Sequence, residues 1–146
     1  MPAPFVILID GQCSLCRREA RFMQRLDAGR GRLDVVDIAA AGFRPETYGA
    51  TMDALMGQIH GVTPDGRVMT GMAVFREAYG AVAQSGGVKA RILSSLMGVT
   101  GWPLVRPVAD MFYRWFARNR LSISAVAGRL LGDEPPACEN GRCKVP

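Results

Sequence analysis

Phe5 to Ile9 is apolar throughout and mostly β-branched, and it stops at Asp10. Such a run, without polar alternation, predicts a strand covered on both faces. From Cys13 to Leu26 the period changes. Leu15, Phe22, Met23 and Leu26 recur at three- and four-residue steps, with Arg17, Arg18, Arg21 and Arg25 between them. That spacing predicts an amphipathic helix. Asp27-Ala28-Gly29-Arg30-Gly31 ends it, with glycines suited to a left-handed cap. Leu33 to Ile38 predicts a second strand, and a β-helix-β unit of this length favours a parallel pair with a right-handed crossover.

Further along, Glu46 to Met56 predicts a helix, weakened by Gly49. Gln58–Val62 and Arg67–Thr70 predict short strands around Thr63-Pro64-Asp65-Gly66, a strong turn sequence and hence an antiparallel hairpin. Met72 to Val82 predicts the next helix. The expected class is α/β, with the order β-α-β-α-β-β-α of a thioredoxin-like core. After Ser85-Gly86-Gly87 the pattern becomes wholly helical. Val88 to Met97 predicts one helix and Gly98 to Pro103 a break, and Pro107 suits a first turn. Val108, Met111, Phe112, Trp115 and Phe116 form an apolar stripe with Arg114 and Arg118 opposite, and Ser122 to Leu131 predicts a last short helix. The expected organisation is therefore a thioredoxin-like core over 1–85, an all-helical extension packed on it over 86–132, and a tail over 133–146.

The chain has 146 residues, 49% of them hydrophobic and 21% charged, which suits one domain with a core and excludes disorder. The formal charge of +5 is concentrated in Lys89 to Arg129, where Arg91, Arg106, Arg114, Arg118 and Arg120 predict a solvated helix surface. Sharper readings are weak contact with an anionic membrane surface through these basic helices, or contact with an acidic partner. No nucleic-acid motif accompanies the charge. No leader-like stretch and no spanning-length apolar run is visible, so the expected setting is the cytoplasm, with thiols kept reduced.

Four cysteines fall into two close pairs at opposite ends of the chain, which reads as redox or metal chemistry. Cys13-Ser14-Leu15-Cys16 lies where the first strand gives way to the first helix. A thiol at a helix N-terminus meets backbone N–H groups and the positive end of the helix dipole, both of which favour the thiolate. Residues three apart share a helix face, so the pair can close a disulfide. The expected roles are Cys13 as the more exposed nucleophile and Cys16 as the resolving thiol one turn in. Arg17 and Arg18 could lower the Cys13 pKa further, or face solvent. Gly11 is expected to allow the sharp turn into the helix. Asp10 either accepts hydrogen bonds from the loop or takes the proton from Cys16.

Asp10-Gly11-x-Cys13-x-Leu15-Cys16 resembles the signature of the DCC family of predicted thiol–disulfide oxidoreductases. Pro64-Asp65-Gly66-Arg67 through Gly71-Met72-Ala73-Val74 resembles that family's hairpin and following helix, and Tyr113 to Arg120 its C-terminal helix. The resemblance covers roughly residues 5 to 120. It implies a thioredoxin-like fold and protein-disulfide reductase activity on a protein or small-molecule disulfide, with an unspecified electron donor. No organic cofactor and no metal is required. One departure stands out: typical thioredoxins carry a cis-proline before the third strand, where this chain has Met56 or Gly57.

Cys138-Glu139-Asn140-Gly141-Arg142-Cys143 carries the strongest two-residue hairpin turn. Its register would place Cys138 opposite Cys143, within disulfide range. Three readings stand open: a second dithiol that exchanges with Cys13–Cys16, an incidental loop, or half of a four-thiolate zinc site. His60, the only histidine, is expected to be packed or exposed. Trp102, Tyr113, Trp115 and Phe116 are expected to pack the helical extension. The competing functional classes are a non-enzymatic zinc-binding module built on both cysteine pairs, and a membrane- or partner-binding adaptor on the same fold.

Overall fold

The computed structural model describes residues 3–84 and 86–132, together with the strand backbone at 138–139 and 142–143. The first strand, β1 (Phe5–Ile9), lies at the centre of a mixed sheet. β2 (Leu33–Asp37) pairs with it in parallel, and Ile9 lies opposite Asp37. β3 (His60–Val62) pairs with its other edge antiparallel and continues to β4 (Val68–Thr70) through the Thr63–Arg67 turn. The sheet order is β4-β3-β1-β2, and a small hairpin extends it beyond β2. Helix α1 (Ser14–Asp27) makes the crossover, α2 (Met52–Gly57) precedes β3, and α3 (Met72–Ala83) follows β4. Two further helices close the described chain, α4 (Val88–Val99) and α5 (Arg106–Leu131). The fold is mixed α/β.

The uninterrupted apolar run of β1 is explained by burial on both sides. Phe5, Ile7 and Ile9 face one core with Met23 of α1 and Val74 and Val82 of α3. Leu8 faces a smaller core with Val36, Ile38 and Leu55. The two-residue side-chain period of a strand divides the run between them. A close approach fixes β3 beneath α3: a Cβ on Gly61 would lie 2.6 Å from Phe5 Cζ and 3.1 Å from Val74 Cγ1.

Three expectations need correction. The helix expected over 46–56 is a 3-10 turn at Pro45–Tyr48 followed by α2, because Gly49 takes a left-handed φ of 65° and breaks the run. The two helices expected after Pro107 are one 26-residue helix. No glycine or proline interrupts it between Pro107 and Gly128, and the serines at 122 and 124 do not stop it. The third concerns facing. Val108, Met111, Phe112 and Trp115, read as the packing stripe of α5, are exposed, and the buried positions are Tyr113, Arg120 and Ser124.

In the tail the expected hairpin register is present. Strands β5 (Cys138–Glu139) and β6 (Arg142–Cys143) pair antiparallel, with Cys138 opposite Cys143 and Glu139 opposite Arg142, and β6 joins the β2 edge at Val36. The side chains of this hairpin and its Asn140-Gly141 turn lie outside the described residues. The expected disulfide, relay and zinc roles of Cys138 and Cys143 lie there with them.

Candidate redox site

The end of β1 delivers Asp10, Gly11 and Cys13 to the start of α1. Cys13 is the N-cap residue, in extended backbone conformation, and its N–H donates to the Asp10 carbonyl at 3.0 Å. Its sulfur does what a capping oxygen usually does: Sγ accepts the Cys16 N–H at 3.3 Å. Gly11 is required by proximity. A Cβ there would fall 2.1 Å from Asp37 Oδ2, and the Gly11 N–H donates to Asp37 Oδ1 at 2.8 Å. The same Asp37 oxygen accepts from Ala39 N–H at 2.8 Å. Asp37, at the end of the neighbouring parallel strand, therefore ties the β1–α1 loop to the sheet.

The two thiols are free and unlike each other. The hydrogen bond from the Cys16 thiol holds the Cys13 pKa down at about 6, from 9.0 for an ordinary thiol. The Cys16 N–H, the Ser124 hydroxyl and the Arg120 charge add to that effect, and burial opposes it. Cys16 is pushed strongly upward, first because it donates to Cys13 and then by burial and by the charge on Cys13. One sulfur is held as an anion and the other as its proton donor.

Arg120 and Ser124 belong to α5, more than a hundred residues further along the chain. Ser14 N–H donates to Ser124 Oγ at 2.9 Å, Ser14 Oγ donates to the Ser124 carbonyl at 3.1 Å, and the two hydroxyls lie 2.8 Å apart. Arg120, only 7% exposed, pairs with the buried Asp10 at 3.3 Å. Asp10 Oδ1 accepts Gln12 N–H at 3.0 Å, so the loop-bonding role expected for this carboxylate is present. Tyr113 accepts Ile59 N–H at 2.7 Å just before β3, and burial raises its pKa.

This packing reverses one expectation. Cys13 is 0% exposed, whereas Cys16 is half-buried. The inner face of α5 covers the helix N-terminus and shuts Cys13 from water. Cys16 lines a cavity of about 280 Å³ with Asp10, Leu15, Phe75, Tyr113 and Arg120. Arg17 donates to the Gly11 carbonyl, and Arg18 reaches the Leu131 and Gly132 carbonyls at the end of α5. Among the main causes that lower the Cys13 pKa, the charge is that of Arg120. His60 is buried in β3, with Nδ1 3.0 Å from the Gln58 carbonyl. Among the described residues no group of three or more His, Cys, Asp and Glu side chains could hold a metal ion.

The family model of DCC1-like thiol-disulfide oxidoreductases matches residues 7–126. The chain belongs to this family. The match takes in the end of β1, the dithiol and most of α5, the elements that build the site. A curated relative, an uncharacterized chloroplastic protein of Arabidopsis thaliana, is 30% identical over 147 residues. That alignment takes in 95% of this chain, which spans 64% of the relative's length. No solved structure matches the chain.

Arg120, Ser124 and Asp37 were not singled out as site residues from the sequence. For the first two the sequence offers a spacing: Tyr113, Ala117, Arg120 and Ser124 recur every three or four residues, in the manner of a single helix face, and Arg120 also lies in the segment that resembles the family's C-terminal helix. That face is part polar, so a search for apolar periodicity passes over it.

Proposed function

We propose that this DCC1-like protein is a protein-disulfide reductase that works by dithiol–disulfide exchange, with Cys13 as nucleophile and Cys16 as resolving thiol. The observation that carries this reading is the Cys13 sulfur at the N-cap of α1, accepting the Cys16 N–H and lowered to about 6. At pH 7 such a thiol is about nine-tenths ionised, against roughly one part in a hundred for an ordinary one. The parallel β1–β2 pair, the antiparallel β3–β4 hairpin on the opposite edge and the dithiol at the head of α1 support a thioredoxin-like fold. On this reading 1–85 form the redox core, 86–132 a helical extension packed on it, and 133–146 a tail.

The Cys13 thiolate attacks one sulfur of a substrate disulfide; that S–S bond breaks and the other sulfur leaves as a thiolate. Cys16 then loses its proton and attacks the Cys13 sulfur of the mixed disulfide. The bond to substrate breaks, the second substrate thiolate departs, and the Cys13–Cys16 disulfide remains, two electrons having passed to the substrate. Asp10 lines the same cavity as Cys16, so this reading assigns it the Cys16 proton, with Arg120 holding the carboxylate in place. The substrate is a protein or small-molecule disulfide, and a separate thiol donor in a reducing compartment, the cytoplasm, restores the dithiol. Because Cys13 is shut in, exchange requires the Ser14–Ser124 contact to part.

Insulin reduction with a redox titration of the dithiol tests the proposal. Cys13→Ser should abolish turnover, Cys16→Ser should trap a mixed disulfide on Cys13, and Asp10→Asn should slow the second step and let that intermediate accumulate. Full activity in Cys13→Ser would overturn it.

A further inference from the structure

We propose that the outer face of α5, together with the turn that leads into it, is a docking surface for an anionic phospholipid bilayer. This inference is independent of the redox reading.

Val108, Met111, Phe112, Trp115, Val126 and Leu130 recur at helical spacing and are all more than half exposed, Phe112 by 65% and Trp115 by 54%. The turn before α5 adds Trp102 at 62% and Leu104 at 90%. This is the face opposite Tyr113, Arg120 and Ser124, which are committed to the dithiol. From Val108 to Leu130 the stripe is about 33 Å long. An apolar strip of that length on a water-facing helix marks an interaction surface.

Charge identifies the partner. The segment 88–131 holds seven of the chain's 18 basic residues and one of its 13 acidic ones, so the rest of the protein is nearly neutral. The one acid, Asp110, is occupied by Arg106 at 3.7 Å. At 100° per residue Arg114, Arg118 and Arg129 fall along one flank of the stripe, rather than opposite it as expected from the sequence. A helix with an apolar face carrying tryptophan, bordered by arginines, suits a headgroup boundary: the side chains enter the acyl region and the guanidinium groups meet phosphates. A second copy of the chain docked on the same face would bring these positive flanks towards each other, so charge disfavours a homodimer. No described helix is long and apolar enough to cross a membrane, so the contact is one of lying on the surface.

The test is co-sedimentation of the reduced full chain with vesicles of phosphatidylcholine alone or mixed with phosphatidylglycerol. Binding should require phosphatidylglycerol, shift tryptophan emission to the blue, and weaken with salt. Phe112→Ser with Trp115→Ser should lower partitioning on the order of 100-fold. Arg114→Gln with Arg118→Gln should lower it about 30-fold. All four side chains are exposed, and circular dichroism and the Cys13 alkylation profile should match the parent in both variants. Three outcomes would overturn the proposal. The parent could stay in the supernatant with anionic vesicles. It could bind both vesicle types equally. Sedimentation equilibrium could show a dimer that Phe112→Ser with Trp115→Ser converts to monomer.

Discussion

The Cys13 sulfur and the Arg120 guanidinium carry most of the chemistry. Because the folded pKa of Cys13, about 6, lies below the 9.0 of an ordinary thiol, the ionised form favours the folded state. That contribution is present in full above pH 9 and is lost as pH falls through 6. Reduced protein should therefore gain on the order of 3 kcal/mol of stability between pH 6 and 9. Cys13→Ser should flatten the slope in urea titrations. The gain should end near pH 9, where the Cys13 thiol of the unfolded chain ionises too; beyond that point the raised Cys16 should turn the slope downward, since only the unfolded chain gives up that proton. Arg120 adds a second test. Arg120→Met leaves Asp10 buried without its cation and should cost about 3–5 kcal/mol. It should also raise the pH midpoint of Cys13 alkylation, since the Arg120 charge helps hold the thiol down. Adding Asp10→Asn should restore much of the stability and leave the alkylation midpoint high. If both quantities recover together, the electrostatic role of Arg120 is wrong.

Among the elements, the core was more legible than the helices beyond it. β1, β2, α1 and the β3–β4 hairpin follow from local signals that the tertiary structure does not contradict: an apolar run, a three-to-four-residue period, a Pro-Asp-Gly turn. The strand-to-helix step at Cys13 belongs to the same class, so the dithiol could be placed from sequence. α5 was misread in phase because apolar periodicity was assumed to point inward. Its inner face instead carries a tyrosine, an arginine and a serine whose partners are Ile59 N–H, Asp10 and Ser14, and no local pattern announces contacts more than fifty or a hundred residues away. Gly11 shows the same limit. It was expected to serve a sharp turn, yet what the structure demands is room for the Asp37 carboxylate. Gly11→Ala should therefore cost about 1–3 kcal/mol by overpacking. Asp37→Ala would free that space, but it leaves Gly11 N–H and Ala39 N–H without their acceptor and should be destabilising in its own right, by about the cost of unpaired buried donors. Thermal melts of the two singles and the double should show a coupling of opposite sign to simple additivity, the double being less damaged than the sum.

For the whole molecule, the site is assembled from both ends of the described chain, and α5 is at once part of its electrostatics and its cover. A thiolate with no exposed surface reacts only when its cover moves, so reactivity is the product of ionisation and opening. The pH dependence of Cys13 alkylation should therefore show a midpoint near 6, while the plateau above it stays well below that of an exposed thiolate. Opening of α5 alone exposes less surface than global unfolding, so low urea should raise the alkylation rate with a shallower dependence than the unfolding transition. Ser124→Ala removes the hydroxyl that accepts Ser14 N–H and should weaken the closed state by about 1 kcal/mol, raising the plateau roughly fivefold. The same change removes one of the bonds that lower the Cys13 pKa, so the midpoint should move upward as the plateau rises. A cover that merely touched the site would move the plateau and leave the midpoint in place; a helix that both shields and tunes the sulfur must move the two together.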